Sequence, residues 1–315
     1  GTMTASQATV NDRREIFGWA MYDWANSAFS TTIGSVFLGP YVSGLATSVA
    51  EADFLARTGT AWTEASGQSL VVNFLGLPVA PEAIVPFAIS LSVVFQAGFL
   101  PILGAIADYS HRRKQMLQLF ATIGAIATAL MFFITLNTWM LGPLLFVIAN
   151  LSFGAALVFY NAYLPDIASE EERDRVSSYG FAMGYLGGFV LLALNLVLYL
   201  LHESFGISES LSVRINLASA GIWWFAFSTV TWQRLRSRHA AHEIPSGENL
   251  FSIAFKQLSK TMEVPARSVA FYLLSPLLIF IWAPLITPYI TQLMTSGKLD
   301  SDLAILPVFI PLFGP

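Results

Sequence analysis

The stretch IFGWAMYDWANSAFSTTIGSVFLGPYV, residues 16–42, decides the fold. It exceeds the roughly 20 residues that a helix needs to cross a bilayer at about 1.5 Å rise per residue. In hydrocarbon every backbone N–H and C=O must be satisfied within its own segment, and no barrel-like alternation runs through this one, so it reads as a membrane helix. One acidic residue, Asp23, stands inside it. A carboxylate near a helix centre costs about 2.5–3.5 kcal/mol on insertion scales, so its presence needs a reason.

Asp23, Asn26, Ser27, Ser30, Thr31 and Gly34 recur at the three-and-four spacing of one helical face. A polar face cannot meet lipid, and must line a helix interface or a wet cavity. Interhelical hydrogen bonding is the plainer reading for Ser and Thr; Asp23 favours the cavity. Asp23, Asn26, Ser27 and Thr31 are therefore expected to bind a substrate or a proton.

Outward from this segment, six more apolar stretches reach spanning length: residues 83–107, 116–136, 139–164, 179–201, 215–232 and 269–291. Composition agrees. Hydrophobic residues make up 55% of the chain and charged residues 11%, against about 25% charged in an ordinary soluble domain. The net charge of -4 gives no footprint for nucleic acid, and the absence of Cys excludes disulfides and thiolate metal sites. The class is all-α, a polytopic membrane helix bundle.

Lys and Arg sort along the chain in a way that predicts its orientation. A cytoplasmic N-terminus places Arg13, Arg14, Arg112, Arg113, Lys114, Arg173, Arg175 and the basic residues of 233–268 inside, and only Arg57, Arg214 and Lys298 outside. Two connections are long. The outer one, residues 43–82, holds SLVVNFLGLP, too short to span and read as a re-entrant or interfacial turn. The inner one, residues 233–268, holds LFSIAFKQLSKTM, which suits an amphipathic helix at the inner headgroups. After residue 291 a further apolar run, 303–313, reaches only about 16 Å as a helix. The chain is expected to stop within an eighth helix.

Elsewhere the signals are weaker. In the fourth helix Asn150, Gly154 and Asn161 fall near one face with Tyr160 beside them, a packing or a binding pattern. Gly180, Gly184 and Gly188 recur four apart in the fifth helix, as a seam that admits a neighbouring backbone. The second-to-third loop, GAIADYSHRRK, brings Asp108 near Arg112 and Arg113. All four His lie outside the spans, and no metalloprotease, nucleophile-elbow or phosphate-loop motif occurs. No enzyme activity, cofactor or metal is expected.

Three stretches carry a family resemblance: GWAMYDWANSAFSTTI, FYNAYLPDIASEEERDRVSSYGFAMGYLGG and GAIADYSHRRK. With them the chain resembles the major facilitator superfamily and, within it, the branch of autophagy-related vacuolar amino-acid effluxers and their bacterial relatives. The likeness covers roughly residues 14–232. Tyr109 and His111 stand where the superfamily loop motif usually has a basic residue and a Gly, and Pro276, Pro284 and Pro288 mark a departure in the seventh stretch.

The resemblance implies a transporter of two six-helix halves, joined by a cytoplasmic linker and rocking about a central site. On that pattern residues 1–15 are a cytoplasmic N-terminus, 16–232 a first six-helix half, 233–268 the linker and 269–315 the start of a second half. The expected function is secondary transport of a small solute, amino-acid efflux by the branch, with a proton as a coupled partner. Asn150 and Asn161 would face the cavity, while Asp108, Arg112 and Arg113 would gate its inner end. The expected location is the inner cell membrane, or the vacuolar membrane in a eukaryote. The rival expectations are a non-transporting receptor or assembly scaffold, and an inactive fragment that needs its missing half or a second copy.

Overall fold

In the computed structural model, residues 10–238 and scattered positions between 247 and 259 are described. The seventh stretch, the short eighth one and most of the amphipathic linker lie outside the described residues.

The first helix, α1, runs unbroken from Arg13 to Thr58. Its start is set by Asp12, whose carboxylate accepts the Arg14 N–H at 2.9 Å. Its end is set by Gly59, left-handed at φ 74°, whose N–H closes on the Leu55 carbonyl. Between these caps the segment Phe29–Phe37 winds as a π-helix. The expected stop near residue 42 is thus overturned: GLATSVAEADFLART keeps helical spacing, with Ala46, Ala50 and Phe54 buried along one face.

The SLVVNFLGLP run folds as a β-hairpin, β1 (Val72–Phe74) against β2 (Leu77–Val79), and takes the place of the expected re-entrant or interfacial turn. Leu75 and Gly76 both take positive φ, as a tight two-residue hairpin turn demands. Phe74 is buried against Trp139 and Phe87, which seats the hairpin on the end of the bundle.

The remaining long helices are α2 (Ile84–Tyr109), α3 (Arg113–Leu130), α4 (Leu141–Asn161), α5 (Arg173–Leu200) and α6 (Glu209–Arg234). Among the described residues five, α1 to α5, are long and apolar enough to cross a membrane. The sixth expected span forms a helix, but a more polar one. Ser212, Asn216, Ser228 and Thr231 are buried in it, because α6 packs between α1 and α3 and protein, not lipid, meets its polar side.

α1 also packs on α5, and α4 on both α2 and α3. Close backbone approach is built in by glycine. A Cβ at Gly187 would stand 2.5 Å from the Trp24 carbonyl oxygen, and one at Gly221 the same distance from that of Ala125. A buried amide network then joins three helices. Thr32 of α1 donates to Asn195 Oδ1 at 2.9 Å, and Asn195 Nδ2 donates to Asn216 Oδ1 at 3.1 Å and Ser219 Oγ at 2.9 Å. Asn216 answers with a 2.9 Å bond to the Asn195 carbonyl, so Thr32, Asn195, Asn216 and Ser219 satisfy one another across the three helices.

Candidate functional site

The polar face of α1 divides in two. Its first part, Asp23, Ser27 and Thr31, meets the glycine seam of α5. Cβ atoms built at Gly180, Gly184 and Gly188 would lie 3.0 Å from Asp23 Oδ2, 2.9 Å from Ser27 Oγ and 2.7 Å from the Thr31 methyl. Only glycine leaves room for these side chains, which are half-buried.

The second part, Ser30 and Gly34, is exposed in the π-helical segment, with Ser35 exposed beside it. There the hydroxyls bind the helix's own carbonyls: Thr31 and Ser30 to Ser27 at 2.8 and 3.1 Å, and Ser35 to Ser30 at 2.9 Å. π-turns shift the register of a helix and so separate faces that a regular α-helix would keep together. Irregular backbone at membrane depth is tolerated where protein covers it or water lines it.

One tyrosine connects α1 to α4. Tyr160 donates its hydroxyl to Asp23 Oδ2 at 2.9 Å, and its ring stacks on Trp19 at 4.4 Å with the planes 6° apart. Trp19 in turn donates its indole N–H to the Tyr160 carbonyl at 3.0 Å. A carboxylate held by a phenol in this way is a ready acceptor for a proton or an amine. Beside it Asn26 is buried, and its amide nitrogen, the Tyr22 hydroxyl and the Trp224 indole nitrogen have no hydrogen-bond partner among the described residues.

Neither expected α4 contributor bonds to the polar face of α1 among the described residues. Asn150 is half-buried and its carbonyl accepts from Gln96 of α2 at 2.8 Å, while Gln96 rests on Gly154. Asn161 is exposed at the end of α4.

At the same end of the bundle Arg113 is buried. It donates to the carbonyls of Ala107 and Ala162 at 2.7 and 3.1 Å and pairs with Asp166 at 2.5 Å. Asp166 stands in the single helical turn Leu164–Ile167. Arg112 is exposed, and Asp108 enters no ion pair among the described residues. Sequence reading passed over Asp166, whose only signal was its place in FYNAYLPDIASEEERDRVSSY.

A second ionic set fastens the chain after α6 to the start of α1. Asp12 pairs with Arg236, and Glu15, only 1% exposed, pairs with Arg238 at 2.5 Å and accepts the Arg236 N–H at 3.1 Å. Lys114 and Tyr163 donate to the carbonyls of Leu235 and Arg236 at 2.7 and 3.2 Å. The Asp12 carboxyl is held below its usual range, chiefly by the Arg14 N–H; desolvation opposes this, and the Arg236 guanidinium adds a lesser pull downward. Among the described residues no group of His, Cys, Asp and Glu could hold a metal.

Comparison with known proteins gives one family and many relatives. The family described as "Vacuole effluxer Atg22 like" matches residues 11–283, which carries the likeness past the expected limit at Trp232. An uncharacterized MFS-type transporter of Bacillus subtilis, YxiO, is 28% identical over 247 residues, 78% of this chain and 51% of that protein. Autophagy-related protein 22-1 of Penicillium rubens is 23% identical over 338 residues, 79% of this chain and 56% of that protein. Its counterpart in Phaeosphaeria nodorum is 25% identical over 319 residues, 85% and 54%. The chain spans about half the length of the curated relatives it matches.

Proposed function

The chain belongs to the Atg22-like vacuole effluxer family, and from that premise we propose that its helices form one wall of the solute path in a secondary transporter. The observation that carries the reading is the exposed Ser30, Gly34 and Ser35 face of the π-segment, about two to three turns from the Asp23–Tyr160 bond. A polar, irregular surface at this depth suits a water-filled path and not lipid.

In this reading Asp23 takes a proton or the amine of the solute, with Tyr160 fixing its orientation. Asn26, Ser27 and Thr31 shape the surroundings, and Asn150 and Asn161 complete the facing wall on α4. Amino acids are the solute class suggested by the family, and the direction is efflux by the same likeness. The N-terminus lies in the cytoplasm, since Arg13, Arg14, Arg112, Arg113, Arg173 and Arg175 share that side. Asp108, Arg112 and Arg113 form the inner gate, with Asp166 as the anchor of Arg113.

The test is counterflow of labelled amino acids in proteoliposomes holding the full natural protein, with Ser30→Leu and Ser35→Leu beside wild type. Both variants should fold and lose flux. Undiminished flux in both would sink the path assignment. A second reading, that Asp23, Ser27 and Thr31 serve helix packing alone, draws on their fit to the glycine seam. Asp23→Asn separates the two, because packing tolerates this isostere and proton or amine binding does not.

A further inference from the structure

Where α1 begins and α6 ends, Asp12, Arg14, Glu15, Gln233, Arg234 and Arg236 enclose an open recess of about 440 Å³. We propose that this recess binds the phosphate headgroup of an anionic phospholipid.

The electrostatics favour an anion. Both carboxylates on the recess are already engaged, Asp12 by Arg236 and Glu15 by Arg238. Arg14 and Arg234 are exposed and form no ion pair among the described residues. Two guanidiniums therefore stand in surplus at one concave site, and guanidinium presents a planar fork that fits phosphate oxygens.

The position favours a lipid over a free ion. α1 passes from this recess into the bilayer with α6 packed along it, so the recess lies at headgroup level. Arg234 lies over the Phe17 ring, 5.3 Å from its centroid, and Phe17 itself is exposed. This close approach depends on Gly18, where a Cβ would come 2.4 Å from the Arg234 Cβ. A sorting of positive charge to one side requires arginines here; it does not require a concave site with an exposed aromatic ring under one of them.

The experiment is native mass spectrometry of the purified chain in detergent, titrated with phosphatidylglycerol or phosphatidylcholine, with inorganic phosphate as competitor. Wild type should retain phosphatidylglycerol in preference to phosphatidylcholine. The paired change Arg14→Gln and Arg234→Gln should weaken that retention by about tenfold or more. Arg14→Lys with Arg234→Lys should keep most of it, and Arg57→Gln at the far end of α1 should keep all of it. Arg14→Gln alone, which breaks no contact in the structure, reports a partial loss if the pair proves hard to purify. Equal retention of both lipids, indifference to the arginine changes, or displacement by millimolar inorganic phosphate would overturn the proposal.

Discussion

Tyr160 and Asp23 sit on different helices and share a 2.9 Å hydrogen bond, donated by the phenol to the carboxylate. The bond crosses from α4 to α1, so a change in the charge of Asp23 is felt at the helix that faces it.

Removing the donor while keeping the ring tests this link. Tyr160→Phe preserves the stack on Trp19 and should lower thermal stability by about 1–3 kcal/mol. Asp23→Asn should abolish or uncouple transport by the full natural protein, and Tyr160→Phe should shift its pH dependence. Unchanged flux and pH profile in both variants would remove Asp23 from the solute path.

The glycine seam is a steric requirement. Gly187→Ala places a methyl 2.5 Å from the Trp24 carbonyl oxygen, and neither backbone can yield cheaply. A loss of about 1–3 kcal/mol is expected in detergent unfolding. Gly39→Ala in α1, where an added Cβ meets nothing within 4 Å, should be neutral or mildly stabilising.

Arg113 is buried and pairs with Asp166, so taking Asp166 away removes a counter-charge from a buried guanidinium. Asp166→Ala should cost roughly 3 kcal/mol, softened by the partial exposure of Asp166. Arg112→Ala, at an exposed position, should cost less than about 0.5 kcal/mol. Equal melting temperatures for the two variants would count against the anchoring role given to Asp166.

The Asp12 carboxyl has its pKa depressed below 3.8 in the fold. Its contribution to stability is thus fully present above the unfolded value and is lost as pH falls through the folded one. Acidification below about pH 4 should loosen the fastening of residues 235–238 to α1. Hydrogen exchange of those amides against pH reads this directly, and Asp12→Asn should flatten the acid limb.

Much of the fold is legible in the sequence, because hydrocarbon imposes a length and an apolar content that residues 83–107, 116–136, 139–164 and 179–201 all display. Asp23 is legible for the same reason, since a charge in lipid stands out. The extension of α1 to Thr58 is hidden, as GLATSVAEADFLART is too polar to read as membrane and carries no early stop. The hairpin is hidden too, since Leu75 adopts a positive φ that no leucine advertises.

The division of the polar face escaped for a subtler reason. Three-and-four spacing assumes α geometry throughout, and the π-segment at Phe29–Phe37 turns Ser30 and Gly34 out while Asp23, Ser27 and Thr31 stay on α5. Likewise Asp166 becomes the partner of Arg113 only through space, across 53 residues of chain.

The unbroken run of 46 residues in α1 also has a mechanical side. At about 1.5 Å per residue it measures about 69 Å, against a hydrocarbon core of about 30 Å, so a long arm stands clear of the bilayer. A tilt of about 5° at the π-segment would swing Thr58, about 30 Å away, through nearly 3 Å. A spin label at that tip is thus a pointer for small rotations deep in the membrane, legible from outside it.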